Sequence, residues 1–390
     1  MNLNMNLDFE FATAKQILFK TNGIMDIAKS ILKLGKYPLV VTGKDKGRAK
    51  PLLDALSHAS MNYVLYTIHG EPTTTDLIQG VEIAKDSKCD MVIGFGGGSV
   101  LDSAKAIAIL MNNPGELMDY LEVIGKGLPM ENPSAPLILI PTTSGTGSEV
   151  TKNSVVTSQE EKIKVSLRSP SMLADLVLVD PSLTLSMPQA ITASTGLDAL
   201  TQVIEPYVSS FANPLTDGFC REGIWRIGRS IKKAYDDGLD ITAREDMALG
   251  SLLGGMALAN AKLGAVHGFA GVIGGKLGAP HGFVCAALLP SVIEYNIRAL
   301  IERDPEHIAL RRYQEISIWL TGDDHADISA CVHWLKDLYQ HMNIQGLAAF
   351  GITTKDFDDI IRKSSGSSSM KGNPITLTHE EMINILTESM

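Results

Sequence analysis

Met91-Val-Ile-Gly-Phe-Gly-Gly-Gly-Ser-Val-Leu-Asp-Ser-Ala-Lys105 is the stretch whose reading decides the fold, because a run of glycines here joins an apolar strand to a helix. Met91 to Phe95 is a short continuous apolar run of the kind that forms a strand buried on both faces. Val100 to Met111 then changes to helical periodicity. Gly96, Gly97 and Gly98 between them let the backbone approach a pyrophosphate closely, and the free N–H groups and dipole of the following helix favour its negative charge. The same turn also reads as a tight strand-to-helix connection without a ligand. It follows the third strand of the pattern, whereas the usual dinucleotide fingerprint follows the first.

Outward from this turn, Pro38–Thr42, Tyr63–Ile68, Leu137–Ile140 and Leu176–Val179 read as further buried strands, with helical segments over Asp45–Ala59 and Thr75–Ser87. The order βαβαβ predicts a parallel sheet with right-handed crossovers. Beyond Pro181 the strand signals stop, and Ala/Leu/Ile/Gly-rich helical patterns run on to Leu386. The expected division is an α/β dinucleotide-binding domain over 1–185 and an all-α domain over 186–390. Ser364–Ser369 reads as a polar loop before a last helix whose entry is marked by the capping-box pair Thr378 and Glu381.

The chain's 390 residues exceed the roughly 100–200 that one domain usually holds, in keeping with two domains. Apolar residues at 45% and charged residues at 20% describe a chain that folds in water. Lys plus Arg number 34 against 44 Asp plus Glu, a net charge of −10 that argues against a nucleic-acid partner. Met1–Ala14 contains no Lys or Arg, so the charged start of a secretory signal is missing and a cytoplasmic location is expected. The weakly charged stretch Met247–Ile293 is interrupted by Lys262, Lys276, two His and two Pro, which predicts buried helices rather than a membrane span. Cys89, Cys220, Cys285 and Cys331 lie far apart with no C-x-x-C, and they read as ordinary core thiols.

Two further constellations could carry chemistry. Pro141-Thr-Thr-Ser-Gly-Thr-Gly-Ser-Glu149 follows a buried strand and supplies hydroxyls and glycine-permitted close approach; it reads as a second phosphate- or ribose-binding loop or as a solvated linker. In the helical half, Asp198 and Gln202 stand four apart on one helix face, which suits two ligands of one ion. His267-Gly268 and His281-Gly282 are 14 residues apart, about 21 Å on a straight helix. Only a break at Gly278-Ala-Pro280 would let the second imidazole return to the first.

Taken together, Gly96–Asp102, Pro141–Glu149, Gly196-Leu-Asp-Ala-Leu200, Val266-His-Gly268, Pro280-His-Gly282 and Asn373-Pro374 resemble the iron-containing (group III) alcohol dehydrogenase family over almost the whole chain. The resemblance implies an N-terminal α/β domain that holds NAD(P), a C-terminal helical domain that holds a divalent metal, and an active site in the cleft between them, an architecture shared with dehydroquinate synthase. It implies that Asp198, His267 and His281 are catalytic metal ligands and that Gly97, Gly98, Ser99, Asp102, Thr142, Thr143, Thr146 and Lys164 face the cofactor. Two positions depart from the family pattern: Gln202 stands where a third metal His is usual, and Gly271 where many members place a His near the nicotinamide. Gln202 is then a fourth, weaker ligand or binds a metal-held water.

The leading expectation is an NAD(P)-dependent oxidoreductase that interconverts a small-molecule alcohol and an aldehyde or ketone by hydride transfer, with Fe²⁺ or Zn²⁺ as Lewis acid. The alternatives are a metal-independent reductase resembling maleylacetate reductase, a lyase resembling dehydroquinate synthase, and a non-catalytic binding protein. Many NAD-using relatives have Asp where Gly43 stands, and glycine removes the repulsion a carboxylate would exert on a 2′-phosphate. With Lys44, Lys46 and Arg48 nearby, the expectation leans to NADP(H). A homodimer or higher homo-oligomer is implied by the resemblance.

Overall fold

The computed structural model describes residues 7–161, 163–277 and 279–390, which fall into two compact units. The α/β unit comprises Ala12–Thr143 and Gly147–Ser186; the helical unit comprises Met187–Met390 together with 7–11 and Ser144–Thr146. The two small pieces depart from a simple cut at 185/186 for local reasons. Phe11 packs its ring 5.6 Å from that of Phe219, and Gly145 stands so close to Thr195 that a Cβ would lie 2.7 Å from the Thr195 Cβ.

In the α/β unit the elements run β1 (Ile17–Phe19), α1 (Ala28–Ile31), β2 (Pro38–Gly43), α2 (Lys50–His58), β3 (Val64–Ile68), α3 (Thr74–Asp86), β4 (Met91–Gly96), α4 (Gly98–Asn112), α5 (Leu117–Tyr120), β5 (Leu137–Pro141), β6 (Asn153–Ser158), β7 (Ile163–Arg168) and β8 (Leu176–Val179). Six strands form one sheet in the order β1-β8-β5-β4-β2-β3, and every pairing in it is parallel. Strand alternation sends Val40, Ile93, Phe95, Ile138 and Ile140 into one core with Ile31, Leu52 and Leu56. On the other face, Gly94 admits α4 so closely that a Cβ would sit 2.8 Å from Ala104 and 2.9 Å from Leu139. A sheet covered on both faces explains strands that are continuous apolar runs. Neither β1 nor the antiparallel β6–β7 hairpin is among the strands read from the sequence.

The helical unit consists of α6 (Gln189–Val208), α7 (Pro214–Asp236), α8 (Ile241–Ala261), α9 (Ala265–Leu277), α10 (His281–Arg303), α11 (Ile308–Thr321), α12 (Ala330–Met342), α13 (Phe357–Ser365) and α14 (His379–Glu388). Gly196 through Val208 of α6 is buried without interruption, so the polar side chains it carries are interior groups that need partners. Thr378 and Glu381 form the capping box expected for α14. The expected loop Ser364–Ser369 is shorter than its composition suggests: α13 continues to Ser365, because Ser364 is buried with the apolar face of that helix. One helix among the described residues, His281–Arg303, is long and apolar enough to cross a membrane, and 72% of its apolar window is buried inside the protein.

Candidate active site

The parallel register places three strand ends side by side. Phe95 pairs with Thr42 and Gly96 with Pro141, so Gly43, the Gly96–Ser99 turn and Thr142–Thr143 lie at the carboxyl ends of adjacent strands β2, β4 and β5. Ligands of open α/β sheets bind at that edge. The Thr142 N–H donates to the Gly96 carbonyl at 2.9 Å, tying the two loops together. Gly97 is the N-cap of α4, and no side chain caps this helix, which leaves its first-turn amides for another acceptor. Thr73, Asn213, Asp240 and Thr378, by contrast, cap their own helices with side-chain oxygens.

Asp102 and Lys164, both expected to face the cofactor, have partners within the protein. Asp102 accepts from the Ser148 hydroxyl at 2.5 Å and the Val155 N–H at 2.9 Å, and Lys164 Nζ lies 2.6 Å from Glu71. Thr146 belongs with the helical unit, and Thr142 and Thr143 with the α/β unit. Lys105, the last residue of the glycine-turn motif, is fully buried and was given no role by sequence reasoning. Its ammonium donates to the Ser148 carbonyl and Thr151 hydroxyl, both at 2.9 Å, and to the Asn153 carbonyl, and it pairs with Asp102 at 3.0 Å. Burial pushes this amine down, with Asp102 and Glu149 opposing. The hydroxyl loop is thus pinned from beneath by one buried cation.

The second constellation assembles in the helical unit. α9 ends at Leu277 and α10 begins at His281 with Pro280 as N-cap, so the chain turns as the sequence required; Gly278 itself lies outside the described residues. Gly282 makes the return possible. A Cβ there would lie 2.5 Å from the Ser194 carbonyl oxygen, so only glycine lets the first turn of α10 rest on α6. The imidazoles of His267 and His281 then stand 5.3 Å apart, with their Nε2 atoms 3.5 and 3.8 Å from Asp198 Oδ1.

Gln202 donates from Nε2 to Asp198 Oδ2 at 2.9 Å. Charge fixes this orientation, since the reverse would set an amide oxygen against a carboxylate. Two residues that sequence reasoning missed complete the group. Glu205 accepts from His267 Nδ1 at 2.6 Å and from the Val266 N–H at 2.7 Å, which directs His267 Nε2 toward Asp198. Cys285, expected to be an ordinary core thiol, places Sγ 3.6 Å from His281 Nε2, and the ligand atoms of Asp198, His267, His281 and Cys285 all lie within 4.8 Å of one another. The signals were spacings: Glu205 follows Asp198 by seven residues and Cys285 follows His281 by four, both on one helix face.

Electrostatics and unmet valence both fit a cation here. Asp198 Oδ1, Gln202 Oε1 and His267 Nε2 are buried with no hydrogen-bond partner. Burial opposes charge on His267, yet Cys285, Asp198 and Glu205 outweigh it and hold the imidazole well above its ordinary range. His281 is raised as well, chiefly by Cys285. Burial likewise opposes the charge on Asp198, but the nearby His267 imidazole leads the effects that hold the carboxyl below its usual range. Buried orphaned polar atoms cost about 1–3 kcal/mol each, and Asp198 Oδ1 and His267 Nε2, which face each other at 3.5 Å, fit an ion that would satisfy both. Gly271, by contrast, is an exposed position of α9 where a Cβ would meet nothing within 4 Å.

Comparison with known proteins gives a concordant result. The family model described as iron-containing alcohol dehydrogenase matches residues 14–181, and that of the C-terminal region of the same family matches residues 192–390. The chain is 36% identical to alcohol dehydrogenase 4 of Schizosaccharomyces pombe over 96% of this chain and 87% of that one. It is 32% identical to 1,3-propanediol dehydrogenase of Citrobacter freundii over 98% of both. A crystal structure of 1,3-propanediol oxidoreductase superimposes with a TM-score of 0.89 at 31% identity, covering 98% of this chain and all of the other.

Proposed function

We propose, from the premise that the chain belongs to the iron-containing alcohol dehydrogenase family and is an NAD(P)-dependent alcohol dehydrogenase, that its two units divide the work. The α/β unit binds NAD(P), with a preference for NADP(H), and the helical unit binds the metal and the substrate, a small alcohol or carbonyl compound. The observation that carries this reading is the convergence of Asp198 Oδ1, His267 Nε2 and His281 Nε2 on one buried point where two of the three have no hydrogen-bond partner. It favours a metal-assisted enzyme over a metal-independent reductase, which would leave those acceptors unmet.

Asp198, His267 and His281 hold the ion, the three protein ligands usual for a catalytic zinc site. Gln202 braces Asp198 through Oδ2 and keeps Oδ1 turned inward, and Glu205 does the same for His267. When bound, Zn²⁺ or Fe²⁺ supplies Lewis acidity toward the substrate oxygen, and the nicotinamide supplies or accepts the hydride. The uncapped first turn of α4, at Gly97, Gly98 and Ser99, takes the cofactor diphosphate, and Thr142 and Thr143 supply hydroxyls to it and to the adjoining ribose. Asp102 and Lys164 act on the cofactor through the loops they hold. Gly43 leaves room beside the ribose for a 2′-phosphate. We place the enzyme in the cytoplasm as a homodimer or higher homo-oligomer.

The test is a screen of alcohols and aldehydes against both cofactors, before and after chelation and after return of Zn²⁺, Fe²⁺ or Mn²⁺. Activity lost with the metal and regained with it supports the proposal. Full activity in demonstrably metal-free protein would overturn the metal role.

A further inference from the structure

The family pattern offers a His where this chain has Gln202, and the structure gives that amide nitrogen to Asp198 rather than to the shared point. A different side chain occupies the remaining corner. Cys285 Sγ is fully buried, one helical turn beyond His281 on α10, and lies 3.6 Å from His281 Nε2. Zinc–sulfur and zinc–nitrogen bonds of about 2.3 and 2.0–2.1 Å put tetrahedral S···N neighbours about 3.6 Å apart and N···O neighbours about 3.4 Å apart. The observed edges are 3.6 Å for Cys285 to His281, and 3.5 and 3.8 Å for His267 and His281 to Asp198. These three edges match zinc coordination, and all four donor atoms lie within 4.8 Å of one another, with Asp198 Oδ1 and His267 Nε2 more than nine-tenths buried and unpartnered among them.

We propose that Cys285 supplies a thiolate as the fourth protein ligand of the ion, making the donor set Asp198, His267, His281 and Cys285, with Gln202 as a positioning residue for Asp198 and the substrate oxygen reached by expansion to a fifth donor, which catalytic zinc sites permit. The inference rests on the metal-binding reading above. On binding, the sulfur–metal bond forms as the thiol proton passes to solvent, with no oxidation or reduction. A thiolate is a softer donor than imidazole or an amide oxygen, so the substitution moves the site's preference toward Zn²⁺ and Co²⁺ and away from Mn²⁺.

The test uses the full-length protein stripped with a chelator and titrated with Co²⁺, and with Zn²⁺ and Mn²⁺ against a chromophoric competitor. Wild type is expected to show the intense near-ultraviolet sulfur-to-cobalt charge-transfer band. Cys285→Ser should lose the band and bind Zn²⁺ about 100-fold more weakly, at the upper end of what loss of a supporting residue costs a metal site. Its loss for Mn²⁺ should be smaller. Gln202→Ala should keep the band. Because the band is read on unmodified protein, the test does not depend on the variants folding. Stoichiometric Co²⁺ binding by wild type without the band overturns the cysteine assignment alone, whereas no binding of any of the three ions overturns the metal reading with it. A Cys285→Ser protein with unchanged zinc affinity, or loss of the band in a folded Gln202→Ala, would also count against Cys285 as ligand.

Discussion

Glu205→Gln probes the proposed metal centre without touching a proposed ligand. The carboxylate accepts from His267 Nδ1 at 2.6 Å and from the Val266 N–H at 2.7 Å. Being acceptor-only, it keeps a proton on Nδ1 and so leaves the Nε2 lone pair for the ion. Glutamine has nearly the same shape but a single acceptor. If its oxygen takes the Val266 N–H, its NH₂ faces Nδ1 and favours the tautomer with the proton on Nε2, where it competes directly with the metal. Loss of such a supporting carboxylate costs about 10–100-fold in metal affinity, equivalent to about 1.4–2.8 kcal/mol. Stability without metal should change by less than about 1 kcal/mol, because the Val266 N–H keeps an acceptor, whereas Glu205→Ala strands that donor at a cost of about 1–3 kcal/mol. Zinc competition titrations and urea unfolding of chelated protein measure the two quantities separately. A Glu205→Gln protein with wild-type zinc affinity would refute the tautomer argument, and one destabilised as much as Glu205→Ala would show that the role is structural.

Three further outcomes follow from the α/β unit. Glu149 is buried and its carboxyl is pushed up to about 7, mainly by burial, from an ordinary value near 4.5. With the folded value above the unfolded one, its contribution to stability is complete below about pH 4.5 and is lost as pH rises through about 7. Glu149→Gln should therefore gain on wild type by up to about 3 kcal/mol between acidic and mildly alkaline pH, and urea unfolding showing a pH-independent difference would contradict this. Gly98→Val, at the first position of α4, should weaken NADPH binding at least about tenfold by fluorescence titration, and unchanged affinity in folded protein would remove the glycine turn from the cofactor site. At Gly43 a Cβ would meet only Val100 Cγ2 at 3.9 Å, so Gly43→Asp has room. It should lower kcat/KM for NADP(H) far more than for NAD(H), and a wild-type enzyme already favouring NAD(H) would defeat the argument.

The amino-acid sequence by itself determined the α/β and helical halves, because strands covered on both faces must be continuous apolar runs and buried helices must carry apolar periodicity. Five strands of the main sheet, the glycine turn and the capping box of α14 were legible for that reason. β1 was not, since three partly exposed residues at a sheet edge make no apolar run, and the β6–β7 hairpin alternates over only six residues per strand. Asp198, His267 and His281 could be named from motifs, but spacing along a chain does not say which helix faces meet. Tertiary structure decided that. The strand order alone sets Gly43, the glycine turn and Thr142 on neighbouring strands, and the contact of Gly282 with Ser194 alone returns His281 to Asp198. Packing likewise separates Cys285 from Cys89, Cys220 and Cys331. All four are free and buried, and the spacing of Cys285 from His281 marks it only once the helix break is known to return His281 to Asp198, because a buried thiol is apolar by default and becomes a donor only where carboxylate and imidazole atoms converge on it.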